Sequence, residues 1–298
     1  MTRLLWAAMF AVLSSLTPAA HPTPPRALWV WDPSPLLDDV RERGVFLDFY
    51  ERHRIGTVWA QISTGGTGAQ RRLDRAAEWR VLLAEVHRRG MTLHALDGDP
   101  QYALRAQHDV ALSMIDAVSA YNAAVPPLER FDGMHFDNEP YLLPEWMEPA
   151  ARARLLADYL DLNERAAARS HAAGLAYGVD IPFWWRSADP TDRLLDIADN
   201  VGIMDYRNQA GGPDGIVAHA VDTLERTDQI AKARVFVGVE TGGAAAGTPS
   251  KVTFAGTSIR DMNAELDTAE KALAGHRSYA GIAIHDYPAF RHLAESPK

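Results

Sequence analysis

Short runs of apolar, β-branched and aromatic residues recur along the chain, and each run has the length of a single buried strand. The eight runs begin at Ala27, Gly56, Met91, Phe131, Gly174, Asn200, Ala233 and Tyr279. The segments between them carry helical periodicity instead. One apolar stripe with the i, i+3, i+4, i+7 spacing of an amphipathic helix consists of Val217, Ala220, Val221 and Leu224. The pattern therefore predicts strands and helices that alternate over most of the chain.

Eight strand–helix units in about 270 residues predict a single (β/α)8 TIM barrel in the α/β class. A doubly wound open sheet is the alternative arrangement for alternating strands and helices. That fold commonly carries a glycine-rich phosphate loop after its first strand, and no such loop follows Ala27 here. The barrel is therefore the preferred prediction.

The N-terminus has a different pattern from the rest of the chain. Arg3 precedes an apolar run over residues 4–13, and small residues continue to Ala20. This order is typical of a secretory signal peptide, and the apolar run is short for a membrane span. We therefore expect a signal peptide over 1–20, a linker over 21–26 and one catalytic barrel domain over 27–298. The protein is then secreted or periplasmic, with no stable membrane insertion after cleavage; an uncleaved anchor is the alternative.

Composition does not change the predicted fold, but it limits the classes of partner that we expect. The net charge is −9, with 39 acidic against 30 basic residues, and no basic cluster occurs, so nucleic acid is not expected as a partner. The chain has no cysteine, which suits an exported domain long enough to fold without disulfides. We expect a monomer that needs no cofactor.

Polar and aromatic residues follow every predicted strand. In a TIM barrel these positions meet at one rim, where active sites form. Capping of the following helices explains one or two of them, such as Asp32 or Asp99, but not the whole set. The candidate binding residues at this rim are Trp31, Asp32, Gln61, Asp97, Asn138, Asp180, Trp184, Trp185, Asp205, Arg207, His285 and Asp286. The candidate catalytic residues are Glu139, Glu240, Asp137 and Tyr206.

The fourth run, FDGMHFDNE, alternates apolar residues with His135, Asp137 and Glu139. Side chains alternate across a strand, so these three share one face, which in a barrel is the interior. A carboxylate in such a place costs several kcal/mol unless it is paired or protonated. A carboxyl group that stays protonated can act as a general acid. Glu139, nearest the rim, is the residue we expect in that role.

Two families of glycoside hydrolases have similar motifs. Asp132-Gly133 followed by Asp137 and Glu139 resembles the DGxDxDxE strand of family-18 chitinases, with His135 in place of one acidic residue. The resemblance implies that Glu139 donates the proton and that Asp137 assists the substrate's own acetamido group as nucleophile. Met204-Asp205-Tyr206 is similar to the same family's Met-x-Tyr, although Arg207 stands where that family usually has an aspartate.

Asn138-Glu139-Pro140 also resembles the Asn-Glu-Pro of the clan A retaining glycosidases. There the glutamate is the acid/base, and a glutamate after strand seven is the nucleophile. That resemblance implies Glu240 as nucleophile and Tyr206 as the residue that holds it. Both resemblances agree on Glu139. They leave its partner open between Glu240, which we prefer, and Asp137, because the separation of the carboxyl groups cannot be read from the sequence.

The prediction is therefore a retaining glycoside hydrolase that acts on an extracellular or envelope polysaccharide, with Trp31, Trp184 and Trp185 offering flat faces to sugar rings. Two alternatives remain: a carbohydrate-binding barrel without catalysis, and a metal-dependent hydrolase. The histidines and aspartates that could ligate a cation are His94, His135, Asp137, Asp180, Asp205 and His285. An acidic rim also favours a cationic sugar, unless Arg207 binds an acidic one.

Overall fold

The fold was obtained as a computed structural model that describes residues 25–185, 190–243 and 250–296. The predicted signal peptide over 1–20 lies outside these residues. The predicted TIM barrel is confirmed, because eight parallel strands close into one barrel. The strands are β1 (Arg26–Val30), β2 (Ile55–Gln61), β3 (Thr92–Asp97), β4 (Gly133–Phe136), β5 (Ala176–Pro182), β6 (Asn200–Met204), β7 (Arg234–Glu240) and β8 (Tyr279–His285).

Helices follow the strands and pack around the barrel. They are α1 (Ser34–Asp38), α2 (Val40–Arg52), α3 (Ala76–Arg88), α4 (His108–Ala124), α5 (Pro149–Ala172), α6 (Thr191–Ile197), α7 (Ile216–Ile230), α8 (Ile259–Leu273) and α9 (Tyr287–Glu295). The predicted apolar stripe lies on α7, where Ala220 and Leu224 are fully buried against the barrel. Tertiary packing of such a face is what stabilises most helices in proteins. No helix among the described residues is long and apolar enough to span a bilayer.

Two strand ends and one additional element show the main differences from the sequence prediction. Arg26, assigned to the linker, begins β1 and is buried in an ion pair with Glu270. A small antiparallel hairpin, Thr64–Gly65 with Arg72–Leu73, follows β2 and was not predicted. β4 ends at Phe136 rather than at residue 139. Asp137 and Glu139 therefore lie in the loop that leaves the strand, where each backbone torsion is less constrained than in a ladder.

The barrel interior contains polar side chains that glycines on neighbouring strands make room for. A Cβ on Gly178 would lie 2.2 Å from His135 Nδ1, and a Cβ on Gly202 would lie 2.0 Å from Asp180 Oδ1. Both distances are far below van der Waals contact, so any larger residue would displace the side chain it faces. Register places Gly178 directly beside His135. Small residues on β5 and β6 thus allow a histidine and an aspartate inside the barrel.

Candidate active site

A cavity of about 570 Å³ opens at the carboxyl end of the strands. The predicted residues on its wall are Trp31, Asp137, Glu139, Trp184, Tyr206, Arg207 and His285. Residues from the loops after β3, β5 and β7 complete the wall, among them Gly98, Phe183 and Val252. Its size is within the range of small-molecule sites. The alternation expected for the fourth strand extends into the loop, since Asp137 and Glu139 face the cavity while Asn138 between them is buried.

Asp137 is a carboxyl group with little to balance its charge. Its Oδ1 is buried and has no hydrogen-bond partner among the described residues. Burial raises the pKa of Asp137 well above its ordinary value, and the nearby carboxyl groups of Asp180 and Glu139 raise it further. Desolvation and like charges both disfavour the ionised form. Asp137 is therefore held protonated over a wider pH range than an exposed aspartate.

Asp180, on the strand next to Asp137, points into the barrel and is almost fully buried. The indole N–H of Trp29 donates to its Oδ2 at 3.0 Å, and His135 Nε2 lies 3.0 Å from its Oδ1. Burial raises the pKa of Asp180 well above its ordinary value despite the bond from Trp29. His135 stacks on Trp59, and burial lowers its pKa to about 3, so the imidazole is neutral. This layer supports the cavity floor rather than its wall.

Glu139 is held by the loop that follows it. The hydroxyl of Tyr141 donates to Glu139 Oε2. Tyr141 in turn packs against Trp146 and Trp184, with ring centroids 6.2 and 5.3 Å away. The remaining predicted tryptophan, Trp185, is 5% exposed and packs on the barrel side of this cluster, so it is not on the wall. An aromatic cluster thus fixes the hydrogen-bond donor that orients the Glu139 carboxylate.

Tyr206 projects from the loop after β6 into the same cavity, together with Met204 of the Met-x-Tyr motif. Burial raises the pKa of Tyr206 well above its ordinary value, and the carboxyl groups of Asp137 and Asp180 raise it further. The phenol therefore keeps its proton throughout the physiological range. A protonated phenol surrounded by carboxyl groups is suited to donate a hydrogen bond to a substrate atom that accumulates negative charge.

Glu240 ends β7 but is not on the cavity wall. Its Oε2 lies 2.8 Å from His285 Nδ1, and its Oε1 accepts the backbone N–H of Gly242 at 2.5 Å. Burial raises the pKa of Glu240, but the bond with His285 and the backbone donors outweigh it and lower the pKa below its ordinary value. Glu240 is a stable carboxylate with partners on both oxygens.

His285 connects Glu240 to the cavity. The indole N–H of Trp31, which can only donate, points at His285 Nε2 over 2.8 Å. Nε2 therefore accepts, and the ring proton is on Nδ1, where it is donated to Glu240. Burial lowers the pKa of His285, but the hydrogen bond and charge of Glu240 outweigh this and raise it. The chain from Trp31 through His285 to Glu240 fixes the tautomer and orientation of a histidine on the cavity wall.

Arg207 reaches the cavity but its guanidinium is already bound. Its Nε and Nη2 donate to Asp214 Oδ1, and its Nη1 donates to the carbonyl of Tyr206. Below it, His219 contacts Asp205 at 2.6 Å. Burial raises the pKa of Asp205 to about 7, although the hydrogen bond with His219 acts to lower it. Asp205 is fully buried and therefore supports this loop from beneath.

The other predicted rim residues lie around the cavity rather than in it. Asp32 and Gln61 line a separate pocket beside Trp31. Asp97 is buried and accepts from Gly98 N–H and the Tyr102 hydroxyl. Asn138 Oδ1 accepts the backbone N–H of Asp99, and Asp286 caps α9 by accepting from Ala289 N–H. Helix and turn capping thus accounts for more of the acidic rim than the sequence suggested.

No group of three or more histidine, cysteine, aspartate or glutamate side chains among the described residues is arranged to hold a metal ion. The histidines and aspartates proposed as ligands are instead spread between the interior layer, the Asp205–His219 pair and the Glu240–His285 pair.

The fold and the cavity define a TIM-barrel protein whose site contains an aspartate with a raised pKa, a glutamate and a half-buried tyrosine. No family model matches the chain, and no curated protein matches it. Solved structures do match its fold. A GH18 chitinase from Pseudoalteromonas aurantia aligns with a TM-score of 0.56 at 10% identity, covering 88% of this chain and 94% of that one.

Two further structures show the same architecture. A chitinase from Chromobacterium violaceum aligns with a TM-score of 0.54 at 12% identity, over 89% of this chain and 95% of its own. A β-glucosidase from Thermotoga maritima aligns with a TM-score of 0.55 at 11% identity, over 89% and 88%. At these identities the similarity concerns the fold, and it agrees with the TIM barrel predicted from the eight strand–helix units.

The sequence analysis did not identify three residues in or beneath the site. Trp29 binds Asp180, Phe183 lines the cavity, and His219 bridges Asp205 and Asp214. Trp29 could have been found, because it precedes Trp31 by two positions and so shares its face of β1. Phe183 carries no polar group, and His219 lies on a helix far along the chain, so neither gave a signal.

Proposed function

We propose that this protein is a glycoside hydrolase that cleaves a polysaccharide containing N-acetylated amino sugars, with retention of configuration at the anomeric carbon. One observation carries the proposal: Asp137, Glu139 and Tyr206 line a single cavity at the end of the barrel where TIM-barrel active sites form. Asp137 and Glu139 are the residues that the family-18 resemblance marks for catalysis, and Tyr206 belongs to the motif that is similar to that family's Met-x-Tyr. The glycosidase names of the fold neighbours support the same reaction class.

Glu139 serves as the acid and then as the base. It gives its proton to the glycosidic oxygen as the bond from that oxygen to C1 breaks, and it later takes a proton from the water that attacks C1. Such carboxyl catalysis contributes roughly 10²–10⁴-fold in rate. The hydroxyl of Tyr141 holds one oxygen of Glu139, so the other is directed at the leaving group.

Asp137 is the better partner for Glu139, although Glu240 was the preferred nucleophile from sequence. Asp137 lines the cavity and has an oxygen without a partner, whereas both oxygens of Glu240 are bound and Glu240 is absent from the wall. In the proposed reaction, the carbonyl oxygen of the substrate's acetamido group bonds to C1 and forms a cyclic oxazolinium ion. Asp137 accepts the acetamido N–H, and Tyr206 donates to the second lone pair of the acetamido oxygen and so positions it for attack. Water then adds to C1 as the bond between C1 and the acetamido oxygen breaks, which restores the acetamido group and gives the retained product.

Sugar rings fit the remaining surface of the cavity. Trp31 and Trp184 offer aromatic faces, and Trp184 is 45% exposed. Aromatic faces beside a few polar groups are typical of carbohydrate sites. The predicted signal peptide supports a secreted or periplasmic enzyme, and a monomer with no cofactor completes the proposal.

The test compares wild type with Glu139→Gln in the turnover of β-linked oligosaccharides of N-acetylglucosamine. Turnover is measured as the release of reducing ends. We expect the variant to keep the thermal stability of the wild type and to lose about 10³-fold in kcat. Glu145→Gln is the matched control, because Glu145 is exposed in the same loop. Equal turnover by Glu139→Gln would refute the proposal. Binding without any product by wild type would indicate a carbohydrate-binding barrel instead.

A further inference from the structure

We propose that the pocket on the far side of Trp31 is a sugar-binding subsite that extends the cleft, and that the protein therefore cleaves within a polysaccharide rather than at its end. The pocket has a volume of about 250 Å³ and lies between the loops after β1 and β2. It is smaller than the range for drug-sized ligands, which suits a single sugar ring. This inference rests on the proposed function and specifies how the substrate lies.

Trp31 forms the partition between the two spaces. It lines both the central cavity and the second pocket. Its indole N–H bond to His285 turns the nitrogen side of the ring toward β8 and fixes the ring plane. The opposite side is left to face β2. A sugar bound in the second pocket would thus contact the same aromatic residue that borders the reacting sugar, as adjacent units of one chain do.

Register places a polar partner beside Trp31. Trp29 pairs with Trp59 and Val30 with Ala60, so Gln61 lies next to Trp31 on the adjoining strand. Adjacent strands are about 4.8 Å apart, which is within reach of one sugar ring. The amide of Gln61 has no hydrogen-bond partner among the described residues, and neither does Asp32 Oδ2, since Asp32 uses its other oxygen for Ser34 N–H. Free amide and carboxylate groups are suited to pairs of sugar hydroxyls.

The floor of this pocket is apolar and rigid. Leu37, Ile62 and Trp79 line it, and they are 6%, 4% and 1% exposed. Buried side chains of this kind keep a pocket open because they cannot move into it without breaking their own packing. The pocket therefore combines a fixed aromatic wall, an apolar floor and unpaired polar groups.

The strand order places the two ends of the proposed cleft on opposite sides of the barrel. β1 and β5 are separated by half of the barrel in either direction. Trp184, after β5, is thus across the cavity from Trp31 and the second pocket. Asp137 and Glu139 line the space between these two aromatic residues. A polysaccharide that contacts both ends is cleaved at an internal bond.

The experiment measures binding of β-linked N-acetylglucosamine oligosaccharides of two to six units by calorimetry. Two proteins are compared. One is the Glu139→Gln variant, which turns over too slowly to disturb the measurement, and the other carries Gln61→Ala in addition. We expect affinity to rise with chain length, and Gln61→Ala to lower the affinity of the longest oligosaccharides about five- to tenfold, the effect of one lost hydrogen bond. The loss for the disaccharide should be smaller. Gln229→Ala, on the exposed face of α7, is the matched control.

The outcomes separate this subsite from the proposed function. If Gln61→Ala weakens all lengths equally, or none of them, the subsite is wrong while turnover by wild type still supports the hydrolase. If wild type turns over no oligosaccharide but its length-dependent binding requires Gln61, the subsite stands and the hydrolase fails. Release of only monosaccharide or disaccharide from one end of a long polymer, from the first time point, would contradict internal cleavage.

Discussion

The carboxyl groups after β4 and the carboxyl group at the end of β7 have opposite environments. Asp137 is half-buried near other carboxyl groups, its buried Oδ1 has no partner among the described residues, and desolvation raises its pKa. Glu240 accepts from His285 and Gly242, and these donors lower its pKa although burial opposes them. Both residues followed predicted strands and both were candidates for the same catalytic role.

The difference shows that position at the rim does not decide what a carboxyl group does. A carboxylate whose oxygens are both bound by the protein has little capacity left for a substrate, and it stabilises the group that binds it. A carboxyl group left incompletely bonded at a cavity wall is unfavourable for folding and is available for chemistry. We therefore assign Glu240 to the orientation of His285, and Asp137 to the substrate.

Replacement of Asp137 should have the larger effect of the two. We expect Asp137→Asn to lower kcat about 10²-fold on N-acetylated oligosaccharides, because an asparagine cannot ionise as positive charge develops on the acetamido group and so cannot stabilise the oxazolinium ion. Glu240→Gln should lower it only about tenfold, the effect of one weakened hydrogen bond to a charged group. The measurement is kcat for both variants on one substrate at saturating concentration.

The opposite ranking would restore Glu240 as nucleophile. In that case Glu240→Ala should regain activity with added azide, which would replace the missing carboxylate and give a glycosyl azide. Substrate assistance predicts no such rescue. It also predicts that oligosaccharides without the acetamido group are not cleaved by wild type, whereas a protein nucleophile would act on them.

Loss of the hydroxyl that holds Glu139 should have a smaller effect. We expect Tyr141→Phe to lower kcat about fivefold with little change in KM, because the general acid Glu139 loses its orientation but is still present. Tyr121→Phe is a suitable control, since its hydroxyl donates to the carbonyl of Glu129 away from the cavity. A change confined to KM would mean that Tyr141 binds sugar and does not position Glu139.

Most of the fold could be predicted from the sequence. Each of the eight apolar runs overlaps one barrel strand, because buried parallel strands are short and continuously apolar. The ends of strands were less predictable. The alternation of FDGMHFDNE suggested a strand to Glu139, but the ladder stops at Phe136 and the same alternation continues through the loop.

The sequence predicted which strand ends carry the residues of the candidate site, but not the contacts between those residues. Parity identified Asp137 and Glu139, and strand ends identified Tyr206 and His285, all on the cavity wall. Which polar residue pairs with which could not be predicted, because the partners come from distant strands. The contact of Glu240 with His285 spans 45 residues, and it is the observation behind our proposal that Glu240 positions His285.

The contrast between the two carboxyl groups also predicts opposite effects on stability as pH changes. In the unfolded chain Asp137 loses its proton near its ordinary pKa of 3.8, but in the folded protein it keeps the proton to higher pH. Its contribution to stability therefore falls as pH rises above about 4. Glu240 has a lowered pKa, so its contribution is present above its ordinary value of 4.5 and is lost as pH falls through the folded value.

Thermal unfolding of Asp137→Asn and Glu240→Gln across about pH 3 to pH 8 tests this directly. Asparagine does not titrate, so Asp137→Asn should gain melting temperature relative to wild type as pH rises, even though Asp180, Glu139 and His285 still face the site. Glu240→Gln should be less stable than wild type at neutral pH and approach it in acid. Because 1 kcal/mol shifts Tm by only about 2–4 °C in larger domains, we expect differences of a few degrees. Parallel curves for the two variants would mean that the two carboxyl groups do not differ as their contacts imply.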